Sequence, residues 1–178
     1  MINVFKTKLV LTLFFALLFG FASCDKTPKP EGMPDLHSAK ITIVQEGSPL
    51  KDAAVTLLNN DLSQAKWVVG GRTNANGVCI LKTQGKYNGA LAGKYKVIVT
   101  KSEKTESETA KQPVPQDSKA AEAYYAKISS EEKFYDYVDL KYKSPDTSDL
   151  EIEITAGKNE QTFDVGKAIK KEFVPFGK

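Results

Sequence analysis

The sequence predicts an all-β protein, a β-sandwich of about seven strands with one inserted surface helix. Short segments alternate apolar and polar residues with a period of two, which is typical of strands with one buried face. Clusters of Gly, Asn and Pro separate these segments, as turns require. A single stretch, residues 117–134, is rich in helix-forming residues instead. Many short strands with regular turns indicate a sandwich.

The first predicted strand, residues 39–45, places Ile41 and Ile43 on one face and Thr42 and Val44 on the other. Further strands are predicted at residues 53–58, 65–70, 78–83, 93–101 and 150–155. The sequence TNANG at residues 73–77 predicts a tight turn, because Asn and Gly adopt positive φ angles readily. After a turn at residues 156–159, the segment 161–165 is predicted to pair back on 150–155 as a hairpin.

Residues 102–133 interrupt the sandwich as a predicted insertion. Its first part is polar and contains Pro113 and Pro115, which indicates a long exposed loop. The helix predicted at residues 117–134 follows, with Asp117 or Ser118 as its N-cap. The C-terminal tail, residues 167–178, is expected to form a short helix or a strap along the sandwich.

The N-terminus has the organisation of a secretory signal peptide at residues 1–23. Lys6 and Lys8 precede an apolar run at residues 9–19, and small residues then lead to Cys24. The run is shorter than the roughly 20 apolar residues of a membrane-spanning helix, which makes an uncleaved anchor the less favoured alternative. Residues 24–37 are rich in proline and charge and predict a polar tether.

The residues Phe21-Ala22-Ser23-Cys24 resemble the lipobox of bacterial lipoproteins, although Leu, Val or Ile is commoner at the position of Phe21. This resemblance implies that Cys24 is the lipid attachment site, carrying fatty-acyl chains such as palmitate. Several acyl chains anchor a protein stably, whereas one does so only marginally. The implied location is the bacterial cell envelope, in the outer rather than the inner membrane, facing the periplasm or the exterior. Secretion with Cys24 as a free thiol is the alternative.

Residues 38–101 resemble the carboxypeptidase regulatory-like domain of the transthyretin-like, immunoglobulin-like sandwiches. The matching positions are Gly47, Pro49, Leu50, Ala53, Val55, Leu57, Thr73, Asn74, Gly77, Cys79, Leu81, Gly93, Tyr95, Val97 and Val99. Residues 139–165 are similar to the closing segment of bacterial lipoproteins of this kind. The resemblance implies one sandwich domain at residues 38–166. All of these motifs belong to strands or turns, so they favour a fold and specify no reaction.

The residue inventory favours no catalytic or metal site. The single histidine, His37, lies in the predicted tether, so no Ser-His-Asp or Cys-His set can be assembled in the fold. Two cysteines and one histidine are too few for the usual zinc sites, and the Asn-rich turn at 73–77 lacks the carboxylates that calcium prefers. The formal net charge is +3, and Lys6 and Lys8 precede the apolar run, so the rest of the chain is close to neutral. A near-neutral chain without a stripe of Lys and Arg does not favour nucleic-acid binding. We therefore expect a non-enzymatic protein without cofactor or metal.

Cys79 lies two residues before Leu81, so both side chains are expected to face the core of the same sheet. A buried thiol of this kind acts as a small hydrophobic group. If Cys24 carries lipid, Cys79 has no cysteine partner, and no intramolecular disulfide is expected.

Aromatic residues provide the candidate binding site. Tyr135, Tyr137 and Tyr142 are close in sequence, and Tyr124 and Trp67 are expected to lie near them. If these rings are exposed, they could stack on sugar rings. One alternative function is therefore a carbohydrate-binding lipoprotein. They could instead pack the helix on the edge of the sandwich with their hydroxyls in water. The favoured hypothesis is a protein-interaction module displayed at the membrane, through an exposed edge strand or the insertion.

Overall fold

The computed structural model describes residues 28–59 and 61–174, without the side chain of Leu62. The compact unit that begins at Gly32 is built from two β-sheets, a short third sheet and one α-helix. The prediction of an all-β sandwich with one inserted helix is therefore confirmed. The predicted signal peptide and Cys24 lie outside the described residues.

The first sheet is organised around β1, Leu36–Gln45. On one side, β1 pairs in parallel with β13, Lys158–Asp164. On its other side, β1 pairs successively with β8 (Ala90–Leu91), β5 (Val78–Ile80) and β2 (Ser48–Pro49), all antiparallel. Strand β13 is consequently an edge of this sheet.

The second sheet is antiparallel and contains six strands. Their order is β12 (Glu151–Ile154), β9 (Gly93–Thr100), β3 (Ala54–Asn59), β4 (Val69–Arg72), β6 (Lys82–Thr83) and β7 (Tyr87–Asn88). The short third sheet has the order β10 (Ser102–Lys104), β11 (Phe134–Asp136) and β14 (Lys171–Phe173). The described chain thus has more strand segments than the expected seven, because the segment 78–83 is divided and β2, β7, β8, β10, β11 and β14 lie where no strand was predicted.

The core lies between the two large sheets. The predicted alternation in β1 is confirmed, since Ile41 and Ile43 are fully buried while Thr42 and Val44 are partly exposed. The facing sheet contributes buried aliphatic residues from β3, β4, β9 and β12, namely Val55, Leu57, Val69, Val97, Val99, Ile152 and Ile154. Cys79 and Leu81 are both fully buried in this core, as predicted.

Two predicted strands are divided or shifted. Residues 78–83 were expected to form one strand, but the chain leaves the first sheet after β5 and enters the second at β6. The N–H of Leu81, at this crossing, donates to the carbonyl of Ala39. The strand predicted at 65–70 begins only at Val69, because a 3₁₀ turn at Leu62–Gln64 and a following turn occupy the preceding residues.

The predicted hairpin between 150–155 and 161–165 is wrong. Strand β12 pairs with β9, whereas β13 pairs with β1 in the opposite sheet. The side chain of Asn159 fixes this crossing: its Nδ2 donates to the carbonyls of Ser38, at 3.1 Å, and Thr155, at 3.0 Å. Its Oδ1 accepts the N–H of Thr155 at 3.0 Å. The turn at Gly157, with φ 104°, therefore carries the chain from one sheet to the other.

The predicted turn at residues 73–77 is present, with different backbone angles from those expected. Gly77 has φ 71°, and a Cβ there would lie 2.4 Å from the carbonyl oxygen of Ile43. The Asn residues of this turn do not have positive φ angles. Asn74 instead uses its Oδ1 to accept the N–H groups of Asn76 and Val78, at 2.9 and 3.1 Å.

The insertion contains helix α1, Ser118–Glu131, as predicted. Asp117 is the N-cap, and its Oδ1 accepts the N–H of Ala120 at 2.9 Å. The helix stops before residue 134 because Phe134 begins β11. The tail contributes β14, which pairs with β11 as a strap rather than forming a helix.

The predicted tether extends too far at its C-terminal end. Strand β1 begins at Leu36, so His37 is a half-buried strand residue paired with Ala90 and not a linker residue. Met33 and Leu36 pack against the core. Their apolar side chains explain why the sandwich begins a few residues before position 38.

Candidate functional site

Two of the predicted aromatic site residues lie together on the third sheet. Tyr135 is the central residue of β11 and is paired with Glu103 on β10 and Glu172 on β14. Tyr137 follows two residues later, on the same face of the chain. Removal from water raises the pKa of the Tyr137 hydroxyl, the nearby carboxylate of Glu103 raises this pKa further, and Tyr135 contributes least. The sequence spacing of two residues was sufficient to predict this pair.

Lysine side chains of the same chain cover the two rings. The Nζ of Lys170 lies 4.6 Å from the ring centroid of Tyr135, and that of Lys101 lies 5.6 Å from the ring centroid of Tyr137. Such contacts are typical cation–π interactions. Both tyrosines are only partly exposed. One face of each ring is therefore already engaged within the chain.

The other predicted aromatic residues lie elsewhere. Trp67 is only 8% exposed and belongs to the core. Trp67 lies just before β4, at the end of β3 and β4 that is beside Tyr95, near the start of β9. Tyr137 instead donates its N–H to the carbonyl of Lys101, just past the other end of β9. At about 3.3 Å per residue, these two ends of β9 are roughly 20 Å apart. The expected grouping of Trp67 with the tyrosines is therefore wrong, because burial holds the indole in the core.

Tyr124 and Tyr142 have structural contacts of their own. The hydroxyl of Tyr124 donates to the carbonyl of Gln112 at 3.0 Å, and its ring meets Tyr125 edge-on at 5.3 Å. The ring of Tyr142 packs against the core. The five predicted residues do not form a single platform, and the role of packing the helix and the edge of the sandwich fits Tyr124 and Tyr142 better.

The face of the third sheet opposite Tyr135 carries the buried carboxylate of Asp136. Asp136 is buried, and its carboxylate accepts the hydroxyl of Ser102 at 2.6 Å and pairs with the Nζ of Lys143 at 2.5 Å. Phe134 and Phe173 pack beside it with ring centroids 5.9 Å apart. Because Asp136 has two partners and is inaccessible, this cluster is structural.

The described residues contain no group of three or more His, Cys, Asp or Glu side chains placed to bind a metal. Burial raises the pKa of the Cys79 thiol to about 11, so this cysteine is protonated at neutral pH and is a poor nucleophile.

A groove of about 290 Å³ lies against β9 and β12. Lys96 and Glu151 form an ion pair of 2.7 Å in its lining, which makes the groove a charged surface rather than an apolar ligand pocket. No helix within the described part of the chain is both long and apolar enough to span a membrane.

The longest open surface for main-chain contact among the described strands is the outer edge of β13. This strand of seven residues pairs with β1 without interruption from Ser38–Lys158 to Val44–Asp164, and it contains no proline. Exposed edge strands expose unpaired N–H and C=O groups to other chains. The sequence did not reveal this edge, because a hairpin would have covered one side of the segment with β12.

The backbone direction of β13 follows from one hydrogen bond. The N–H of Val165 donates to the carbonyl of Val44 at 2.9 Å and therefore points toward β1. Successive residues of a strand direct their N–H and C=O groups to opposite sides. The main-chain groups of Glu160 and Thr162 consequently point outward, away from β1, and are available to a further strand.

Helix α1 offers a less suitable docking surface. The residues opposite the partly buried stripe of Ala121, Tyr124 and Ile128 are small or polar and exposed: Ser118, Lys119, Glu122, Ala123, Ala126, Ser129 and Ser130. An apolar stripe is what a helix needs to dock into a groove. This side of the helix is therefore a solvated face.

No family model matches the chain, and no curated protein or solved structure matches it. The resemblances of residues 21–24 and 38–101 to lipoproteins and to the carboxypeptidase regulatory-like domain remain predictions. The function of the chain must therefore be inferred from the chemistry of its own residues.

Proposed function

We propose that this chain is a lipid-anchored cell-envelope protein whose β-sandwich is a non-catalytic module for binding other proteins through the edge of β13. The observation that carries the proposal is the open, uninterrupted pairing edge at residues 158–164. An extended segment of a partner would add to this edge as a further strand.

The chemistry of the edge suits recognition of a main chain. The outward-pointing N–H and C=O groups of Glu160 and Thr162 would provide hydrogen bonds that do not depend on the partner's sequence. The carboxylate of Glu160 forms ion pairs with the Nζ of Lys40, at 3.0 Å, and of Lys158, at 2.7 Å. Its charge is therefore neutralised within the chain and does not repel a partner strand at the middle of β13. Natural edges that avoid association carry charged side chains, proline, a bulge or an inward-pointing charge; β13 has charged side chains on its outer face, but no proline, bulge or inward-pointing charge.

The anchor supports the same function. Cys24 is proposed to carry the lipid, and residues 28–32, which precede the sandwich, are exposed and include two prolines. Such a segment would hold a binding module away from the membrane surface. Cys24→Ala is expected to release the full-length protein into the soluble fraction, as measured by ultracentrifugation of cell lysates. Persistent sedimentation with membranes would instead indicate an uncleaved anchor helix.

Protein binding is favoured over carbohydrate binding. A sugar platform needs several exposed ring faces together, yet one face each of Tyr135 and Tyr137 is occupied by Lys170 and Lys101, and Trp67 is buried. A backbone edge has no such obstruction.

Site-specific photo-crosslinking tests the proposal in the membrane-bound, full-length chain. A photoreactive amino acid at Thr162 is expected to give a protein adduct that mass spectrometry identifies as one reproducible partner. The same group at Ala126, on the solvated face of α1, is the matched control and is expected to give none. Equal labelling at both positions, or no protein adduct at Thr162, would overturn the proposal.

A further inference from the structure

We infer that the partner strand at this edge is β13 of a second copy, antiparallel and related by a two-fold axis through Gln161. This inference rests on the proposed function, since it names the occupant of the same edge. Most soluble oligomers are closed and symmetric, and a two-fold interface uses the same surface of both copies.

The charges of β13 select this register. Lys158, Glu160, Thr162 and Asp164 point to the outer face of the sheet, since Asn159 and Phe163 are buried on the inner face. With the axis at Gln161, Lys158 faces Asp164 of the other copy at both ends of the interface. Opposite charges in directly paired positions stabilise an antiparallel strand pair.

The neighbouring symmetric registers that keep the inner face inward are unfavourable. Moving the axis to Glu160 places two Glu160 side chains directly opposite each other. Moving it to Thr162 places Glu160 opposite Asp164 of the other copy. Like charges in directly paired positions destabilise a sheet. Of these three registers, only the axis at Gln161 places opposite charges in paired positions and no like charges opposite each other.

The backbone geometry is consistent with the same axis. Residues 158, 160, 162 and 164 direct their main-chain groups outward, so Glu160 and Thr162 of the two copies would form hydrogen-bonded pairs. Gln161 would then face its symmetry mate in a non-hydrogen-bonded pair, with Cα atoms about 4.5 Å apart. Gln161 is exposed although it lies on the inward-facing side, so its amide is accessible to the second copy.

Anchoring both copies in one membrane is compatible with the antiparallel arrangement. Strand β1 has ten residues and therefore spans about 33 Å, which separates the two chain entry points at Leu36. Residues 24–35 can reach roughly 40 Å when extended. The predicted tether is long enough to cover this separation.

Disulfide trapping in the full-length, membrane-bound protein tests the axis. Gln161→Cys places two thiols within the Cα separation that a disulfide requires, so a covalent dimer is expected on mild oxidation. Ala126→Cys, on the solvated face of α1, is the matched control, because it is exposed, lies outside the proposed interface and leaves the charges of β13 unchanged. Its yield of dimer is expected to be at least tenfold lower. Equal yields from the two variants, or no dimer from Gln161→Cys, would overturn the inference.

Charge reversal tests the register. Asp164→Lys, added to Gln161→Cys, is expected to abolish trapping because Lys158 then faces the introduced lysine of the other copy. Adding Lys158→Asp should restore it. Asp164 also accepts the N–H of Gly166 at 2.8 Å, and the compensating change cannot repair that bond, so rescue separates the interface from folding. Failure of the rescue, with unchanged thermal unfolding of the triple variant, would contradict the register.

The two proposals can fail separately. If Gln161→Cys gives no dimer while the probe at Thr162 captures one other envelope protein, edge binding stands and self-pairing is wrong. If the probe at Thr162 captures nothing, both are wrong.

Discussion

The sandwich and the distal unit at residues 102–137, with its strap β14, are stabilised by different interactions. In the sandwich, the buried residues are mostly aliphatic, as at Ile43 and Val97, which are fully buried. In residues 102–137, the buried residues are Ser107, Thr109 and Asp136, all polar. A region without a buried apolar residue gains little from the hydrophobic effect and must be held by hydrogen bonds and ion pairs.

This contrast indicates that the two regions differ in cooperativity. Burial of aliphatic side chains contributes about 1.5–3 kcal/mol per residue, whereas a hydrogen bond contributes about 1 kcal/mol net. Units with few buried apolar contacts open at a lower free energy than the core. The distal unit is therefore expected to exchange its amide hydrogens by local opening while the sandwich remains folded.

The largest effect is expected from Ile43→Ala in the sandwich. The side chain is fully buried between the sheets, and its truncation should reduce the free energy of unfolding by about 3 kcal/mol. Urea denaturation followed by circular dichroism measures this loss. Val114→Ala, at an exposed position of the distal unit, is the control and should change stability by less than about 0.5 kcal/mol. A similar loss in both variants would remove the contrast between the regions.

A smaller and local effect is expected from Asp136→Asn. The amide can still accept the Ser102 hydroxyl, but Lys143 loses its counter-charge at a buried position. The cost is about 2 kcal/mol and should fall on the distal unit. Hydrogen exchange should accelerate in β10 and β11 while β1 and β9 keep their protection. Asp146→Asn, at an exposed carboxylate, should have no such effect.

If Asp136→Asn instead accelerated exchange throughout β1 and β9, the distal unit would be part of the cooperative core. The comparison between the regions would then be wrong, since a polar cluster would be stabilising the sandwich itself.

The sandwich was more predictable from sequence than the distal unit for the same physical reason. Burial of one strand face leaves a period of two in the sequence, as in residues 39–45 and 93–101, and both segments are strands. The pairing partners of β13 were missed because a turn such as that at Gly157 has the same local residues whether the chain stays in one sheet or crosses to the other. Its parallel partner β1 lies over a hundred residues earlier, which local patterns do not encode.

For the candidate site as well, local spacing was predictable from the sequence and long-range placement was not. Tyr135 and Tyr137 share a face because they are two residues apart in an extended segment, which the sequence shows directly. Trp67 was grouped with them only by residue type, and its position depends on long-range packing. The charge pattern of β13 could be read from the sequence, but its meaning required knowledge that this strand is an edge.

The distal unit contains an acid-sensitive contact at Glu131, which gives the smallest expected effect. Its carboxylate accepts the Ser107 hydroxyl at 2.5 Å, the Thr109 hydroxyl at 3.0 Å and the Thr109 N–H at 3.2 Å. The bond from the Ser107 side chain, followed by that from the Thr109 backbone, lowers the pKa of Glu131 below its usual range. These bonds connect the end of α1 to the loop that precedes it.

Because the pKa of Glu131 is lower in the folded chain than its value of about 4.3 in the unfolded chain, the ionised carboxylate stabilises the folded loop above that pH. This stabilisation is lost as the pH falls through the lower pKa of the folded state. Limited proteolysis should therefore cleave residues 105–112 faster as the pH drops below about 4.3, using a protease that is active in acid. Glu131→Gln should give the fast rate already at about pH 7 and remove most of the pH dependence. Glu122→Gln, on the solvated face of α1, should cleave like the unmodified protein at each pH. If Glu131→Gln kept the full acid response, another carboxylate would control the loop, and the assignment to Glu131 would be wrong.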